Sequence, residues 1–450
     1  MRTFSIYTLG CKVNQYESQQ IAQLLEELGL SAADSREKPD LAVINTCCVT
    51  ATASAKSRQY IQRALKISPA GVRIVCGCLP AMKSRENPPC DGDNVHIISS
   101  RDDLAQRIAQ IIIGHNPLIK AKNGSKIKDG MAKFAKYPKL PRLSSFKGHT
   151  RAFLKVQDGC DGLCTYCIVP KVRPDVQSKP MDEAICEAKA LVAAGHKEIV
   201  VTGVCLSAYG RQTVRRSGEQ ANRREGITDL LTALAQIPGL LRIRVSSLEP
   251  GDISEELLDV FCAYKNIMPH IHLSVQSGAS ATLKRMCRQY DADQLRAKIE
   301  LIKRRLDRPA ITADIIVGFP GETDEDFQQT VELAKWAGFS KIHVFPFSVR
   351  AGTAGAKLKG RLPADVIKKR AQILRKVSDE LAFNFREQFI NQTCEVLIEG
   401  SKDEEAFGHC ERYFIVKVRS KNEKVKIKNE IIRVKITAVT EEGAMGIEDG

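Results

Sequence analysis

No run of about 18 uncharged apolar residues occurs anywhere in this sequence of 450 residues, so an ordinary membrane-spanning helix is not expected. The first residues, MRTFSIYTLG, place an arginine before a short apolar run. They lack a small-residue cleavage site ahead of KVNQYES, so a secretory signal peptide is not expected either. A cytoplasmic protein with no membrane partner is the expectation. Compositional extremes are also missing: 43% hydrophobic and 27% charged residues fit neither wholesale disorder nor a membrane bundle. In a reducing compartment, fifteen cysteines cannot serve as a stable disulfide framework, which points to metal binding or thiol chemistry. Acidic residues are in deficit, 53 against 68 Lys and Arg, and the net charge of +15 favours a polyanionic partner, nucleic acid first.

At roughly 150 residues per domain the length allows about three folded units. Residues 1–118 alternate strand-like runs (FSIYTLG, DLAVINT, RIVCG, NVHIIS) with the helical patterns QQIAQLLEELG and SAKSRQYIQRALKI. That is the pattern of a parallel α/β domain. A basic linker over 119–147 follows; from Lys120 to Arg151, ten Lys or Arg accompany a single acid, Asp129. It is either a solvated spacer or a segment that also touches phosphate.

Residues 148–380 repeat strand then helix six times, with strands AFLKV, EIVVTG, RIRVSS, HIHLSV, ITADIIVG and KIHVFPF. A partial (β/α)6 barrel is expected, with its chemistry where the strands end. After a long helical stretch, 384–450 switches to period two in CEVLIE, YFIVKVR, KVKIK and IIRVKIT, the signature of a small antiparallel β-barrel. Its outward Lys417, Arg419, Lys424, Lys426, Lys428, Arg433 and Lys435 would form one basic surface suited to nucleic acid, or simply a solvated face.

The segment GCDGLCTYC sets Cys160, Cys164 and Cys167 at spacing C-x3-C-x2-C directly after the strand AFLKV. A loop this tight wraps a metal or cluster. Zinc would need a fourth protein ligand, and none is near, since His196 is far off in sequence. Three thiolates on a four-iron cluster leave one iron open to a small molecule. A second set depends on the fold: Cys11 follows FSIYTLG, Cys47 follows DLAVINT, and Cys78 follows RIVCG. Carboxyl ends of parallel strands share one sheet edge, so these thiols can converge. Alternation separates Cys47 from Cys48, and Cys76 lies within its strand. The cysteines at 90, 186, 205, 262, 287, 394 and 410 are read as packing or surface residues.

The C-x3-C-x2-C loop, with Tyr166 before its last cysteine, resembles the radical S-adenosylmethionine superfamily. Together with LGCKVNQYES, INTCCVT and CGCLPA it resembles the methylthiotransferases. The KVNQYES form is similar to the branch acting on N6-threonylcarbamoyladenosine in tRNA. VTGVCLSAYG, RIRVSSLEP, HLSVQSGASATLKRM, DIIVGFPGETDEDF and HVFPFSVRAGT resemble family blocks in order, and the terminal strands resemble the TRAM module, a small RNA-binding barrel.

The resemblance implies two 4Fe–4S clusters. One, on Cys160, Cys164 and Cys167, would take S-adenosyl-L-methionine on its open iron; an auxiliary one, on Cys11, Cys47 and Cys78, would handle sulfur. It implies cofactor contacts at Thr202, Gly203, Ser246, Glu249 and Gln276. In the turn of Gly318, Gly321 and Glu322, an adenine-binding role and simple tight geometry stand equal. The implied reaction converts N6-threonylcarbamoyladenosine at position 37, in the tRNA anticodon stem-loop, to its 2-methylthio derivative. No side chain acts as catalyst. A flavodoxin-type electron donor and a monomeric state complete the expectation.

Departures exist. IVPKVRPDVQSKP keeps Arg173 but has Pro174, Asp175 and Gln177 where glycine and further arginines are usual, which leaves phosphate contacts near Arg173 in question. Cys205 replaces a usual asparagine, and the insertion RQTVRRSGEQANRREG is unusually basic. Two rivals remain open: a radical enzyme of the same build acting on another adenosine or a protein, and a non-enzymatic iron-sulfur RNA-binding protein.

Overall fold

Continuous apolar runs such as LAVINT and VRIVCG make strands buried on both faces, as the middle of a parallel sheet requires. The computed structural model describes residues 1–34, 37–67, 71–82, 94–115, 139–211, 225–402, 405–419 and 428–449. The first unit runs β1 (Thr3–Thr8), α1 (Lys12–Glu27), β2 (Ser31–Ala32), β3 (Leu41–Thr46), α2 (Ala51–Ile67), β4 (Val72–Gly77), α3 (Cys78–Ala81), β5 (Val95–Ile97) and α4 (Leu104–His115). Its sheet has the order β2-β1-β3-β4-β5, every pair parallel. Helix α1 begins at Lys12, ahead of the expected Gln19. Its first turns bury Asn14, Glu17 and Ser18 against partners elsewhere in the fold, and buried polar residues hide a helical period.

Much of the expected linker, 119–138, lies outside the described residues, as do 116–118 before it. The remainder is no free spacer: Leu143 and Phe146 are buried in the main core, and Gln20 and Gln23 of α1 donate to the carbonyls of Pro141 and Arg142.

The second unit comprises β6 (Arg151–Asp158), α5 (Val169–Val172), β7 (Gln177–Ser178), α6 (Met181–Ala193), β8 (Glu198–Gly203), α7 (Ile227–Ala235), β9 (Arg242–Val245), α8 (Glu255–Ala263), β10 (His270–Gln276), α9 (Ser280–Arg285), α10 (Ala292–Arg305), β11 (Ala310–Val317), α11 (Asp324–Ala337), β12 (Lys341–Pro346) and α12 (Ala364–Glu387). Strands β6-β8-β9 and β10-β11-β12 are parallel runs, joined by single bridges Ile243↔Ile267 and Leu248↔Leu273. This is the expected six-stranded partial barrel. Alternation sends Ile243, Val245, Ile271, Leu273, Ala313 and Ile315 into the hydrophobic core. Glu198, Thr202, Arg244, Ser246, His270 and His272 occupy the opposite, inner face.

The third unit is a closed barrel, β13 (Thr393–Lys402), β14 (Glu405–Cys410), β15 (Ile415–Arg419), β16 (Ile431–Val439) and β17 (Ala444–Glu448), ordered β13-β14-β15-β17-β16. Two of its strands, β14 and β17, are absent from the sequence reading. Both carry glycine where backbones press together: a Cβ on Gly408 would sit 1.9 Å from the Leu397 carbonyl oxygen, and one on Gly446 2.4 Å from Val434. Such glycines erase the period-two signal. The expected strand KVKIK falls on residues that, except for Lys428, are not described, and Lys424 and Lys426 are among them.

The small barrel seals the floor of the large one. Arg242 and Arg244, almost wholly buried, donate to the carbonyls of Glu395, His409, Cys410 and Glu411. The Tyr413 ring stacks on His270 at 4.6 Å and on His409 at 4.8 Å. Among the described residues no helix is long and apolar enough to cross a membrane.

Candidate active site

Every thiol of the first cysteine set sits in the loop between β6 and α5. Gly159 opens it at φ +74°, where a Cβ would lie 2.0 Å from the Asp175 carbonyl oxygen, so only glycine fits. The Thr165 amide donates to the Met286 carbonyl, its hydroxyl to that of Arg285, and Gly355 donates to the Thr165 carbonyl, which pins the loop from two sides. The Gly162 amide points at Cys160 Sγ (3.3 Å) and the Val169 amide at Cys167 Sγ (3.4 Å). Arg288, which sequence reasoning missed, donates to Cys164 Sγ at 3.2 Å and to the Glu249 carboxylate, and stacks over Tyr290. Its separation from the motif, more than a hundred residues, left no local signal.

Cys205 also lies here, contrary to the reading of it as a packing or surface residue without clustering. Its thiol hydrogen-bonds to Cys160, which lowers the Cys160 thiol despite burial, and its amide donates to Gln157 Oε1 at 2.7 Å. Cys205 follows β8, the neighbour of β6, so the strand-end rule used for Cys11, Cys47 and Cys78 would have found it. Burial raises the Cys167 thiol to about 11. His196 is no ligand: its ring nitrogens face the Phe146 amide and the Thr150 carbonyl.

The second set lies at the carboxyl ends of neighbouring parallel strands. Cys11 caps α1, Cys47 follows β3, Cys78 opens α3 after β4, and the three thiols act electrostatically on one another. Gly10, at φ +104°, would place a Cβ 2.8 Å from Cys47, so a bare backbone is required beside that thiol. The Cys48 thiol donates to the Cys78 carbonyl at 3.3 Å and lies beside the Cys78 thiol, and Arg173 and Arg101 lie close. Against burial, these bring the Cys78 thiol down to about 5, while burial raises Cys47 to about 11. Arg101 donates to Cys78 Sγ at 3.3 Å. Cys76 is buried in its strand, as expected, and Cys394 and Cys410 pack the small barrel. Cys186, Cys262 and Cys287 are exposed; Cys90 is outside the described residues.

Arg173 is not a phosphate contact. It is 5% exposed and donates to Glu17, Asp158 and Asn14, so it locks α1 of the first unit to β6 of the second between the two cysteine sets. Arg350, equally buried, donates to Ser54 and Met82 and ties the end of the last barrel strand to the first unit. The first unit therefore spans the open side of the partial barrel.

The remaining expected contacts are placed as follows. Thr202 and Ser246 are buried on the inner face of β8 and β9. Gly203 has no room for a side chain because Gln157 and Leu206 stand within 3.0 Å of where its Cβ would be. Gln276 has φ +63° at a break in strand register, a strained conformation that re-aims its side chain. In the turn after β11, Gly318 and Gly321 have φ +76° and +78°, and Glu322 accepts from the Gly318 amide and from Arg370. The insertion at 212–224 lies outside the described residues.

A family model described as the Radical SAM superfamily matches residues 154–334, and one described as Uncharacterized protein family UPF0004 matches residues 3–91. The threonylcarbamoyladenosine tRNA methylthiotransferase MtaB of Bacillus subtilis is 35% identical, across 97% of this chain and 94% of its own. The MtaB of Thermotoga maritima is 31% identical, across 99% and 96%. The tRNA-2-methylthio-N(6)-dimethylallyladenosine synthase of Syntrophotalea carbinolica is 32% identical, across 89% of both. Among solved structures, the radical S-adenosylmethionine methyltransferase TsrM of Kitasatospora setae shares the fold, with a TM-score of 0.51 and 13% identity over 77% of this chain and 75% of that one. Identity at this level over nearly the whole length shows that the chain belongs to the radical S-adenosylmethionine tRNA methylthiotransferase family, in its MtaB-type branch.

Proposed function

We propose that the chain adds a methylthio group at C2 of N6-threonylcarbamoyladenosine 37 in tRNA, using two 4Fe–4S clusters and S-adenosyl-L-methionine. The observation that carries this reading is the pair of three-thiol sets at the carboxyl ends of two parallel sheets, each with arginine at its edge. The donor sets suit the clusters: all six thiols are free of disulfides, and buried cations beside them offset thiolate charge. Cys160, Cys164 and Cys167 would hold one cluster, and Cys11, Cys47 and Cys78 the other. When bound, these groups supply the radical and sulfur chemistry that an unactivated aromatic C–H bond requires and that side-chain acids and bases lack.

The chain's own residues position and shield. Arg288 orients the Cys164 thiolate and is itself fixed by Glu249. Thr202, Ser246 and Gln276 line the inner face above, where S-adenosylmethionine would bind. The Glu17–Arg173–Asp158 lock ties the units that carry the two cysteine sets together. The basic small barrel would hold the anticodon stem-loop through phosphates, and an electron donor of flavodoxin type would reduce the enzyme.

Nucleoside mass spectrometry tests the reading. Enzyme loaded with iron and sulfide, given a reductant, S-adenosylmethionine and tRNA bearing threonylcarbamoyladenosine, should yield its 2-methylthio derivative. Product only on tRNA bearing dimethylallyladenosine would overturn the substrate assignment.

A further inference from the structure

The inner face of the barrel carries a side-chain cluster that none of the chemistry above uses. His272 on β10, Asp314 on β11 and His343 on β12 each offer one polar atom, all within 4.8 Å of one another. His272 Nδ1 faces Thr312 Oγ1 at 2.8 Å, which turns Nε2 to Asp314 at 3.1 Å and fixes the ring. His343 stays exposed with its ring 5.4 Å from that of His272. Lys12, the residue after Cys11, and Lys341 both act electrostatically on His343. Among the described residues Lys12 has no ion pair or hydrogen bond to its ammonium. On the same face of β12, Phe345 is 42% exposed, an apolar ring left uncovered on the inner side. By strand geometry it stands about 7 Å from His343, toward the end of the strand where the cysteine loops lie.

We propose that Lys12, His343 and the His272–Asp314 pair form the subsite for the acidic N6 side arm of the substrate adenosine, with Phe345 as the face on which the base stacks. This rests on the reading of the substrate as threonylcarbamoyladenosine. That side arm carries a carboxylate, ionised near neutral pH, together with a hydroxyl and N–H groups. The cluster is its complement: the Lys12 ammonium and the His343 imidazole N–H to donate to the carboxylate, and Asp314, held by His272, to accept from the hydroxyl or an N–H. A stacking ring is sequence-tolerant, so the side arm supplies the discrimination. The same three side chains could in principle ligate a divalent ion. Asp314 favours the charged form of the His343 ring, whereas the Lys341 and Lys12 charges that reach it oppose a further cation there and favour an anion.

The test uses the cluster-loaded enzyme on two stem-loop RNAs, one with threonylcarbamoyladenosine and one in which the threonyl carboxylate is a neutral carboxamide. The wild type should favour the acid by about ten- to a hundredfold in kcat/KM, the worth of a hydrogen bond to a charged group. His343→Asn and Lys12→Met should lose that factor on the acid and keep their rate on the amide, so the ratio falls toward one. Iron per chain and RNA-independent 5′-deoxyadenosine formation report intact variants. Since Lys12 adjoins Cys11, His343→Asn, on another unit, decides the matter if Lys12→Met loses iron. A wild type that favours the acid while H343N keeps the full ratio overturns the subsite and leaves the substrate reading standing. Equal rates on both RNAs do the same. Product on neither, but on a dimethylallyladenosine RNA, overturns the substrate reading and the subsite with it. One equivalent of added zinc retained by the loaded wild type and lost in H343N overturns the anion site in favour of a metal site.

Discussion

Glu17 and Arg173, 156 positions apart in sequence, meet as a buried two-pronged ion pair, with Nη1 to Oε1 at 2.8 Å and Nη2 to Oε2 at 2.9 Å. One residue comes from the first α/β unit and the other from the loop after the radical-site cysteines. Burial works to raise the Glu17 carboxyl, but Arg173 and Lys155 outweigh it and hold it at about 2. Because the folded value lies below the ordinary 4.5, the pair stabilises the protein above that range and the contribution is lost as pH falls from about 4.5 through 2. Glu17→Gln should cost about 3 to 5 kcal/mol near neutrality, because it leaves Arg173 buried without its main counter-charge. Urea unfolding of wild type and variant at pH 7, 5 and 3 checks this. The gap should narrow as the pH drops, and a constant gap would show that the carboxylate charge is not what matters.

Arg288 offers a sharper test of the radical site. Its guanidinium bridges Cys164 and Glu249 and is nearly buried. Replacing it with methionine should slow 5′-deoxyadenosine formation by about ten- to a hundredfold, the loss of hydrogen bonds to charged partners. Arg288→Lys should recover only part, because an ammonium cannot span both partners as a fork does. Unchanged formation in R288M would remove Arg288 from the positioning role.

RNA affinity is better probed by point charges than by truncation. Removing residues from 385 onward would uncover Arg242 and Arg244, whose donors now end on carbonyls of the small barrel, so lost activity would not report on RNA binding. The basic face is also less free than its sequence suggests. Lys417 pairs with Glu442, Arg419 with Glu405, and Arg433 with Asp449, while Lys428 and Lys435 have no ion pair among the described residues. Exposed pairs of this kind are weak and salt-sensitive, so phosphate can displace the acid. Lys428→Glu with Lys435→Glu should weaken tRNA binding and flatten its salt dependence by roughly one to two in the slope of log K against log salt. Filter binding across a salt series measures it, and an unchanged slope would place the RNA elsewhere.

The sequence made the six barrel strands and the first parallel sheet legible because continuous apolar strands and amphipathic crossover helices carry strong periods. The two candidate thiol sets stood out for different reasons: Cys160, Cys164 and Cys167 by spacing, Cys11, Cys47 and Cys78 by their common place at strand ends. What stayed hidden joins distant segments. Arg288, Arg101 and Arg350 meet their partners through tertiary packing with no spacing rule, and Arg173 looked like a surface contact because burial of a charge is invisible without its counter-charge. The strands β14 and β17 were hidden by the glycines that let a five-stranded barrel close.

The two cysteine sets stand in separate folded units and share no thiol, which makes their roles separable. Replacing Cys11, Cys47 and Cys78 together by alanine should remove about half the iron, since each set supplies ligands for one four-iron cluster. The loop of Cys160, Cys164 and Cys167 is pinned by Met286, Arg285 and Gly355, all in the second unit, so the first replacement leaves its supports in place. That variant should still cleave S-adenosylmethionine under reducing conditions and should form no methylthio product. Replacing Cys160, Cys164 and Cys167 should instead abolish both cleavage and product while about half the iron remains. Iron per chain, 5′-deoxyadenosine and methylthio-nucleoside, measured on the same anaerobic preparations, separate the cases. Cys48 and Cys205 sharpen the comparison, because each sits beside one set and could take over a vacated position. The triple variants should therefore be repeated with Cys48→Ser and Cys205→Ser respectively. Full iron and continued methylthio product in the first variant with Cys48→Ser would show that the three strand ends hold no second cluster.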